Sequence, residues 1–285
     1  MELPLVVGVD GSEHSLRAVD WAADEAAVRG VPLCLVHAAS REGGGDLTLA
    51  DVRGDPSAEE LADTVVGIAA RRARRRDENL KLSVRVSAGD PIPALLREGR
   101  EAVALVMASR GRGRIVELLL GSVSLGVAAR ADCPVIVLRG RHDNQARAGT
   151  RQRVVVGVGE VGLSAAAVRF AVDEAERRHV VLEAVRVWRR PLYGTGGAGH
   201  RAGGERRAAD GLASAVRDAV ADHPSMKVLE HVVEGAAHRV LLGASARADL
   251  LVVGARRGRG PRLGRTAHTL LRHSACPVAV VPQPA

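Results

Sequence analysis

The sequence predicts an α/β protein built from two tandem, five-stranded, parallel-sheet domains, each doubly wound. Three observations carry that expectation. Short β-rich apolar runs alternate with amphipathic stretches along the whole chain, and strands that alternate with helices pair in parallel, because each crossover carries a helix back over the sheet. The two halves also echo each other. LVVGVDGSEHSLRAVDWA (5–22) matches VVVGVGEVGLSAAAVRFA (154–171) without a gap, RADCPVIVL (130–138) matches HSACPVAVV (273–281), and ALVMASRGRG (104–113) mirrors LLVVGARRGRG (250–260). The period is about 145 residues, the size of a whole domain, which marks a duplication and not a solenoid array.

In the first half the hydrophobic patterns predict strands near 5–9, 33–38, 82–87, 102–108 and 134–138, with helices near 13–29, 58–76, 92–100 and 120–131. The second half gives strands near 153–158, 180–187, 226–233, 249–254 and 277–281, with helices near 163–178, 205–221, 236–246 and 265–274. Long loops are expected at 39–56 and 189–204, each after a second strand. The polar, unpatterned stretch RGRHDNQARAGTRQ reads as a linker, so the domains are set at 1–139 and 153–285 with 140–152 between them.

Composition narrows the class. Of the 285 residues 46% are apolar but only 1% aromatic, so the core must be built from Val, Leu and Ala. No apolar run reaches the roughly 18 residues that span a bilayer, and MELPLVVGVDGSE has neither a basic leader nor a cleavage site, which predicts a soluble, cytoplasmic protein without membrane contact. Cys34, Cys133 and Cys276 are too few and too scattered for a disulfide framework or a zinc site. Cys133 and Cys276 precede proline at the entry to each fifth strand and read as buried thiols. The formal charge of +8 comes almost wholly from arginine, since Lys81 and Lys227 are the only lysines. Arginine excess fits phosphate or nucleic-acid binding, yet here it is spread along the chain. The run RRARRR (71–76) has no interleaved aromatics and reads as a solvated helix face, against a nucleic-acid module.

In an open parallel sheet ligands sit beyond the carboxyl ends of the strands, where the strand order reverses. The first strand ends in Asp10-Gly11-Ser12 and the fourth in Ala108-Ser109-Arg110-Gly111. If these strands are neighbours, their loops face one crevice. Gly111 and Gly113 let backbone N–H groups turn toward a guest, and Gly121-Ser122 opens the next helix, whose positive end favours an anion. Two alternatives stay open on these residues alone: Asp10 caps the first helix, and the glycines merely turn the chain. No G-x-x-x-x-G-K-[ST] is present, and Gly194, Gly196 and Gly199 match G-x-G-x-x-G only formally, away from any strand-to-helix turn. His37 reads as a packed or hydrogen-bonded histidine, and His268 and His273 have no metal-ligand partner in the sequence.

These motifs resemble the universal stress protein family in its tandem form, with a Rossmann-like fold. The family's nucleotide signature is G-x2-G-x9-G-[ST]; the first half has Ala108-x2-Gly111-x9-Gly121-Ser122, with the first glycine replaced by alanine. VVGVDGS, LVHA (35–38) and CPVIVL agree as well. The resemblance implies that Gly8 and Asp10 floor a nucleotide site, with Asp10 near ribose or phosphate, and that the backbone of Ala38 meets adenine. It implies that Gly111, Arg112, Gly121, Ser122, Val123 and Ser124 wrap ribose and phosphates, and that the ligand is ATP, with or without magnesium. It implies a stress or dormancy regulator with an unknown protein partner, not a dedicated enzyme: no nucleophile–base pair or metal cluster stands out, and ATP hydrolysis, if any, is slow. An adenylating or pyrophosphatase-type enzyme is the rival, but VDGSEHS is not the S-G-G-x-D-S-like loop such an enzyme needs.

The second half departs from the signature. Asp10 aligns with Gly159, Gly111 with Arg257 and Ser122 with Arg265, and only six residues separate Arg257 from Gly264. A degenerate site is expected there, with Gly157, Gly254, Arg257, Gly264, Arg265 and Thr266 as the candidates for residual binding. The duplicated CPV-x-V strands, like the family's dimers, imply an intramolecular pseudo-twofold pair through the fifth strands, and a homodimer is left open as well. Separately expressed halves are expected to associate on gel filtration; halves that stay monomeric and ignore each other contradict the pairing.

Overall fold

The computed structural model describes residues 2–39, 58–109, 120–139, 151–160, 164–189, 198–255 and 263–283. Two compact units divide the chain, Met1–Val135 and Ile136–Ala285. The first contains β1 (Leu5–Val9), α1 (Glu13–Arg29), β2 (Leu33–Ala39), α2 (Ala58–Arg76), β3 (Leu82–Ala88), α3 (Pro91–Gly99), β4 (Ala104–Ala108) and α4 (Ser122–Ala128). The boundary falls at the first residue of β5 (Val135–Leu138), so four whole strands lie inside this unit. The second contains β6 (Arg153–Val158), α5 (Ala165–Arg177), β7 (Val181–Trp188), α6 (Ala198–Val220), β8 (Val228–Glu234), α7 (Ala237–Ser245), β9 (Leu250–Ala255), α8 (Arg265–His273) and β10 (Val278–Pro282).

Strand order is β3-β2-β1-β4 in the first unit and β10-β9-β6-β7-β8 in the second. The pairings of β1 with β2 and β4, of β2 with β3, of β6 with β7 and β9, of β7 with β8 and of β9 with β10 are all parallel. The chain therefore winds outward from β1 to β3, then returns to lay β4 on the other side of β1. The same reversal brings β9 beside β6. All five residues of β1 and of β4 are buried, which requires cover on both faces of the sheet. α1 packs on α2, and α3 packs on α4. The edge strand β3 is exposed through its centre, with Val84 and Val86 open to solvent.

Small side chains let the helices sit close. Ala18, Ala22, Ala23 and Ala26 of α1 are all inaccessible, and the core is otherwise Val and Leu, as the composition required. Ser12 caps α1: its Oγ accepts from the Ser15 N–H at 3.2 Å, and Gly30 closes the other end in the left-handed conformation at φ 69°. Of the two readings left open for Asp10, helix capping is thereby set aside, because Ser12 holds that position.

The arginine run of α2 is divided by its helical period. Arg72 clamps Asp20 of α1 through Nε at 2.8 Å and Nη2 at 2.7 Å and also reaches Glu13, while Arg76 holds the buried Asp24. Arg71, Arg74 and Arg75 are exposed. The expected solvated face holds for those three; Arg76 is exposed as well but, with Arg72, ties α2 to α1. A second difference lies in α6, which begins at Ala198 although its glycines suggested a loop to residue 204. At Gly204 a Cβ would lie 3.0 Å from the Trp188 ring, so the missing side chain lets the helix pass close over that indole.

In the second unit the inaccessible Glu183 of β7 accepts from Arg153 and from Arg247, each at 2.5 Å. Burial works to raise its pKa, but the Arg247 and then the Arg153 hydrogen bonds outweigh it and hold the carboxyl below its ordinary range. A folded-state pKa below the unfolded value means that stability is fully present above the unfolded carboxylate pKa of about 4.3 and is lost as pH falls through the folded value. Arg153→Ala combined with Arg247→Ala, which strands a buried carboxylate, is expected to cost about 3–5 kcal/mol in urea unfolding at neutral pH. That deficit should shrink as Glu183 protonates in acid; a pH-independent deficit contradicts the role given to the charge.

Candidate functional site

Each candidate site grows from the same local event, a central parallel strand that stops and hands its chain to a helix. In the first unit Gly8 lies on β1, and a Cβ there would meet Met107 Sδ at 2.9 Å and Leu95 Cδ2 at 3.2 Å. Glycine is therefore needed for β1 to lie under α3 and beside β4. Beyond β1, Asp10 Oδ1 accepts from the Ser12 N–H at 2.9 Å, and the Asp10 N–H donates to Ser15 Oγ at 3.3 Å. Gly11 takes φ 80°, a conformation that suits glycine. Ser15, which the motif reading passed over, also donates to Ser12 O at 2.9 Å and so pins the strand end to the helix.

The β4 side is closed by two bonds. The Gly121 N–H donates to Ser109 O at 2.7 Å, joining the two ends of the segment between them, and Ser124 Oγ donates to Ala108 O at 2.6 Å. Gly121 occupies the N-cap position of α4, Ser122 is exposed and Val123 half-buried. Ser124 is buried and its proton is committed to the strand, so its described role is to fasten α4 to β4. On β2, Ala38 is half-buried, and the neighbouring His37 donates its Nδ1–H to Val9 O at 2.8 Å. Gly8, Asp10, Ala38, Ala108, Gly121, Ser122, Val123 and Ser124 thus lie at the carboxyl ends of three adjoining strands. Gly111 and Arg112 lie outside the described residues.

The second unit repeats the frame with different chemistry. The Gly159 N–H donates to Ser164 Oγ at 2.8 Å, in the place of Asp10 and Ser15. A cavity of about 390 Å³ opens where β6, β7 and β9 end. Gly157, Val185, Leu241 and Val253 contribute apolar wall, and Glu160, Ser164, Gly254 and Thr266 contribute polar groups. Gly157 and Gly254 are forced by close neighbours: a Cβ would meet Leu241 Cδ1 at 2.8 Å in the first case and Gln283 Nε2 at 3.0 Å in the second. Gly264 precedes α8, and Arg265 and Thr266 open it. Arg257 lies outside the described residues. The motif comparison registered the loss of a carboxylate at 159 but missed Glu160, one residue further on, and Ser164; matching VDGSEHS to VGEVGLS position by position was the signal for both.

The thiols take no part. Cys34, Cys133 and Cys276 are free and buried; burial raises all three pKa values, to about 11 for Cys133 and about 12 for Cys276. Among the described residues no group of three His, Cys, Asp or Glu side chains could hold a metal, and no helix is long and apolar enough to cross a membrane.

Two α/β units with parallel pairing, each with glycine-lined strand ends meeting at a reversal of strand order, define a class of crevice-bearing α/β domains. The chain belongs to the Universal stress protein family, whose profile matches residues 3–139 and 150–282, one match in each repeat. It is 32% identical over 302 aligned positions to universal stress protein Rv2005c of Mycobacterium tuberculosis, covering 98% of this chain and 97% of that protein. It is 31% identical over 289 positions to universal stress protein Rv2623 of the same organism, covering 98% and 96%. In fold it resembles the crystal structure of a universal stress protein from Archaeoglobus fulgidus, with TM-score 0.74 and 21% identity over 99% of this chain and 98% of that one.

Ser124→Ala is expected to lower stability by about 1 kcal/mol, the usual worth of one internal hydrogen bond, measured by urea unfolding. In the native protein at pH 8 a thiol reagent should modify none of the three cysteines until denaturant is added.

Proposed function

We propose that this universal stress protein binds ATP in its first unit and acts as a cytoplasmic stress or dormancy regulator, without being a dedicated enzyme. The observation that carries this reading is the meeting of two strand ends. β1 and β4 are direct neighbours, with Val7 opposite Val106, so the Asp10 turn and the Gly121 closure open onto the same end of the sheet. Phosphates suit the backbone N–H groups that open a helix; the Gly121 N–H is spent on Ser109 O, but the missing side chain at Gly121 leaves the first turn of α4 open to approach.

In this reading Asp10, fixed by its bond to the Ser12 N–H, is the group that ribose hydroxyls reach. Ala38, at the end of β2, offers backbone to an adenine ring, and Gly8 keeps the floor low. The signature loop from Gly111 to Ser122, with Arg112, would receive the phosphates, and a magnesium ion would travel with them. The chain's own work is to bind, orient and exclude water; a regulator needs the bound and free forms to differ toward a partner, not a fast chemical step. Pairing of the two units through the duplicated fifth-strand sequences belongs to the same proposal, as does an unidentified regulatory protein partner.

Mass spectrometry of the freshly purified chain is expected to find a co-purifying adenine nucleotide. Gly121→Val, which puts a branched side chain where the phosphates approach, should weaken calorimetric ATP binding by roughly 2 kcal/mol, on the scale of an unsatisfied polar contact. Unchanged affinity in that variant contradicts the site. Negligible turnover of saturating ATP separates the regulator from the adenylating or pyrophosphatase-type reading.

A further inference from the structure

The two copies of the repeat end their sheets with different chemistry. β3 and β8 are the outer strands of their units, and LSVRVSA of β3 aligns with VLEHVVE of β8 through the matching registers on β2 and β7. Among the described residues four large apolar side chains are exposed, and two of them, Val84 at 37% and Val86 at 50%, stand on β3. Their counterparts are Glu230 and Val232, and Ala88 is matched by Glu234. Charges at such positions keep an outer strand from pairing with another chain, so β8 is guarded on a face where β3 is not.

Each outer strand turns alternate side chains to its two helices. Ser87 Oγ accepts from Arg97 of α3 at 3.1 Å, so Ser83, Arg85 and Ser87 lie on the α3 side and Val84, Val86 and Ala88 on the α2 side. In β8, His231 lies opposite Val185, which shares a wall with Leu241 of α7. Leu229, His231 and Val233 therefore lie on the α7 side, and Glu230, Val232 and Glu234 on the α6 side. The Lys81 carbonyl accepts from Leu33 on β2, and the Lys227 carbonyl accepts from Leu182 on β7. Alternation then turns the backbone groups of Val84 and Val86, and of Glu230 and Val232, outward. The outward Val84 carbonyl accepts a long bond, 3.4 Å, from the Arg85 guanidinium.

A second copy can lay its β8 along β3 in two ways. Antiparallel, equivalent faces meet: Arg85 falls beside His231, and the exposed valines fall beside Glu230 and Glu234. Parallel, the second copy is turned over about its strand axis and unlike faces meet. The outward backbone groups then interleave with Val84 opposite His231, Arg85 opposite Val232 and Val86 opposite Val233. This register sets Arg85 between Glu230 and Glu234 and lays the valines along the row of Leu229 and Val233. Glu234 has an interaction of its own, so Glu230 is the carboxylate on which the charge match rests. Pairing of either edge with itself is antiparallel about a twofold axis, and it brings Arg85 toward Arg85 or Glu230 toward Glu230.

We propose that β8 of one copy adds to the β3 edge of a second copy as a parallel strand, joining chains head to tail. Backbone bonds and the valines supply the attraction, and the charges choose the partner and the direction. A contact one strand long falls below the roughly 1,000 Å² of a stable interface, so the association is weak and grows with concentration. The inference does not rest on nucleotide binding.

Sedimentation velocity on the full chain at rising concentration in low salt tests this. The weight-average mass should climb with concentration and fall back when salt is added. Arg85→Glu and Glu230→Arg should each weaken association about tenfold or more, because each sets like charges across the contact. Mixed together the two variants should associate again, since each β3 then finds a complementary β8 on the other variant, and the double variant should associate by itself. Both positions are exposed, and the circular-dichroism melts should not change. A chain that is monomeric at every concentration overturns the proposal, and so does assembly that ignores both substitutions. Loss in only one of the two variants shows self-pairing of that edge and overturns it equally. A monomeric chain that takes an added acidic peptide at β3 gives that edge to another protein instead.

Discussion

The pairing of one central strand with neighbours on both sides is the constraint from which the rest follows. β1 is hydrogen-bonded to β2 on one flank and β4 on the other, and β6 likewise to β7 and β9. Because these pairings are parallel, all the carboxyl ends lie on one side, and a chain that winds first one way and then the other must leave a gap between its two departing loops. The site is placed by this backbone geometry before any side chain is chosen. Side chains then decide what the gap can hold.

The burden of keeping that gap open falls on glycines whose neighbours are unusually near. Gly8 under Leu95 and Met107, and Gly157 under Leu241, admit the helix that roofs the sheet. Serines do the complementary work of fastening strand to helix: Ser15 and Ser164 hold the ends of β1 and β6, and Ser124 holds β4 to α4. Around this small polar apparatus the core is alanine, valine and leucine, which pack closely but contribute few polar anchors of their own. Arginine supplies some of the missing anchorage, through Arg72 and Arg76 between α1 and α2 and through Arg153 and Arg247 on Glu183.

Duplication followed by divergence gives the two units different chemistry on one frame. Across the change from Asp10 to Gly159 the serine five residues later keeps the same task, accepting from the Asp10 N–H in one unit and from the Gly159 N–H in the other. A change that reads in alignment as the loss of a carboxylate therefore leaves the strand end that carries it undisturbed.

The sequence alone determined the α/β class, the repeat and the positions of nearly every strand, because alternation of short β-rich runs with amphipathic stretches is a local property and the duplication supplied a second copy to check it against. Residue identity also marked the candidate residues of the first unit, since glycine spacing and a lone aspartate after a strand are visible in one dimension. Only the tertiary structure decided that Ser12 and not Asp10 caps α1, that α6 starts at Ala198 across its glycines, that Arg72 and Arg76 are clamps, and that the second unit keeps a cavity. The Ser12 cap is settled by local geometry, but the others turn on distances between segments well separated in the chain, such as Trp188 to Gly204, Asp20 to Arg72 and Gly157 to Leu241. Periodicity tells which residues face inward; it does not tell what they meet there.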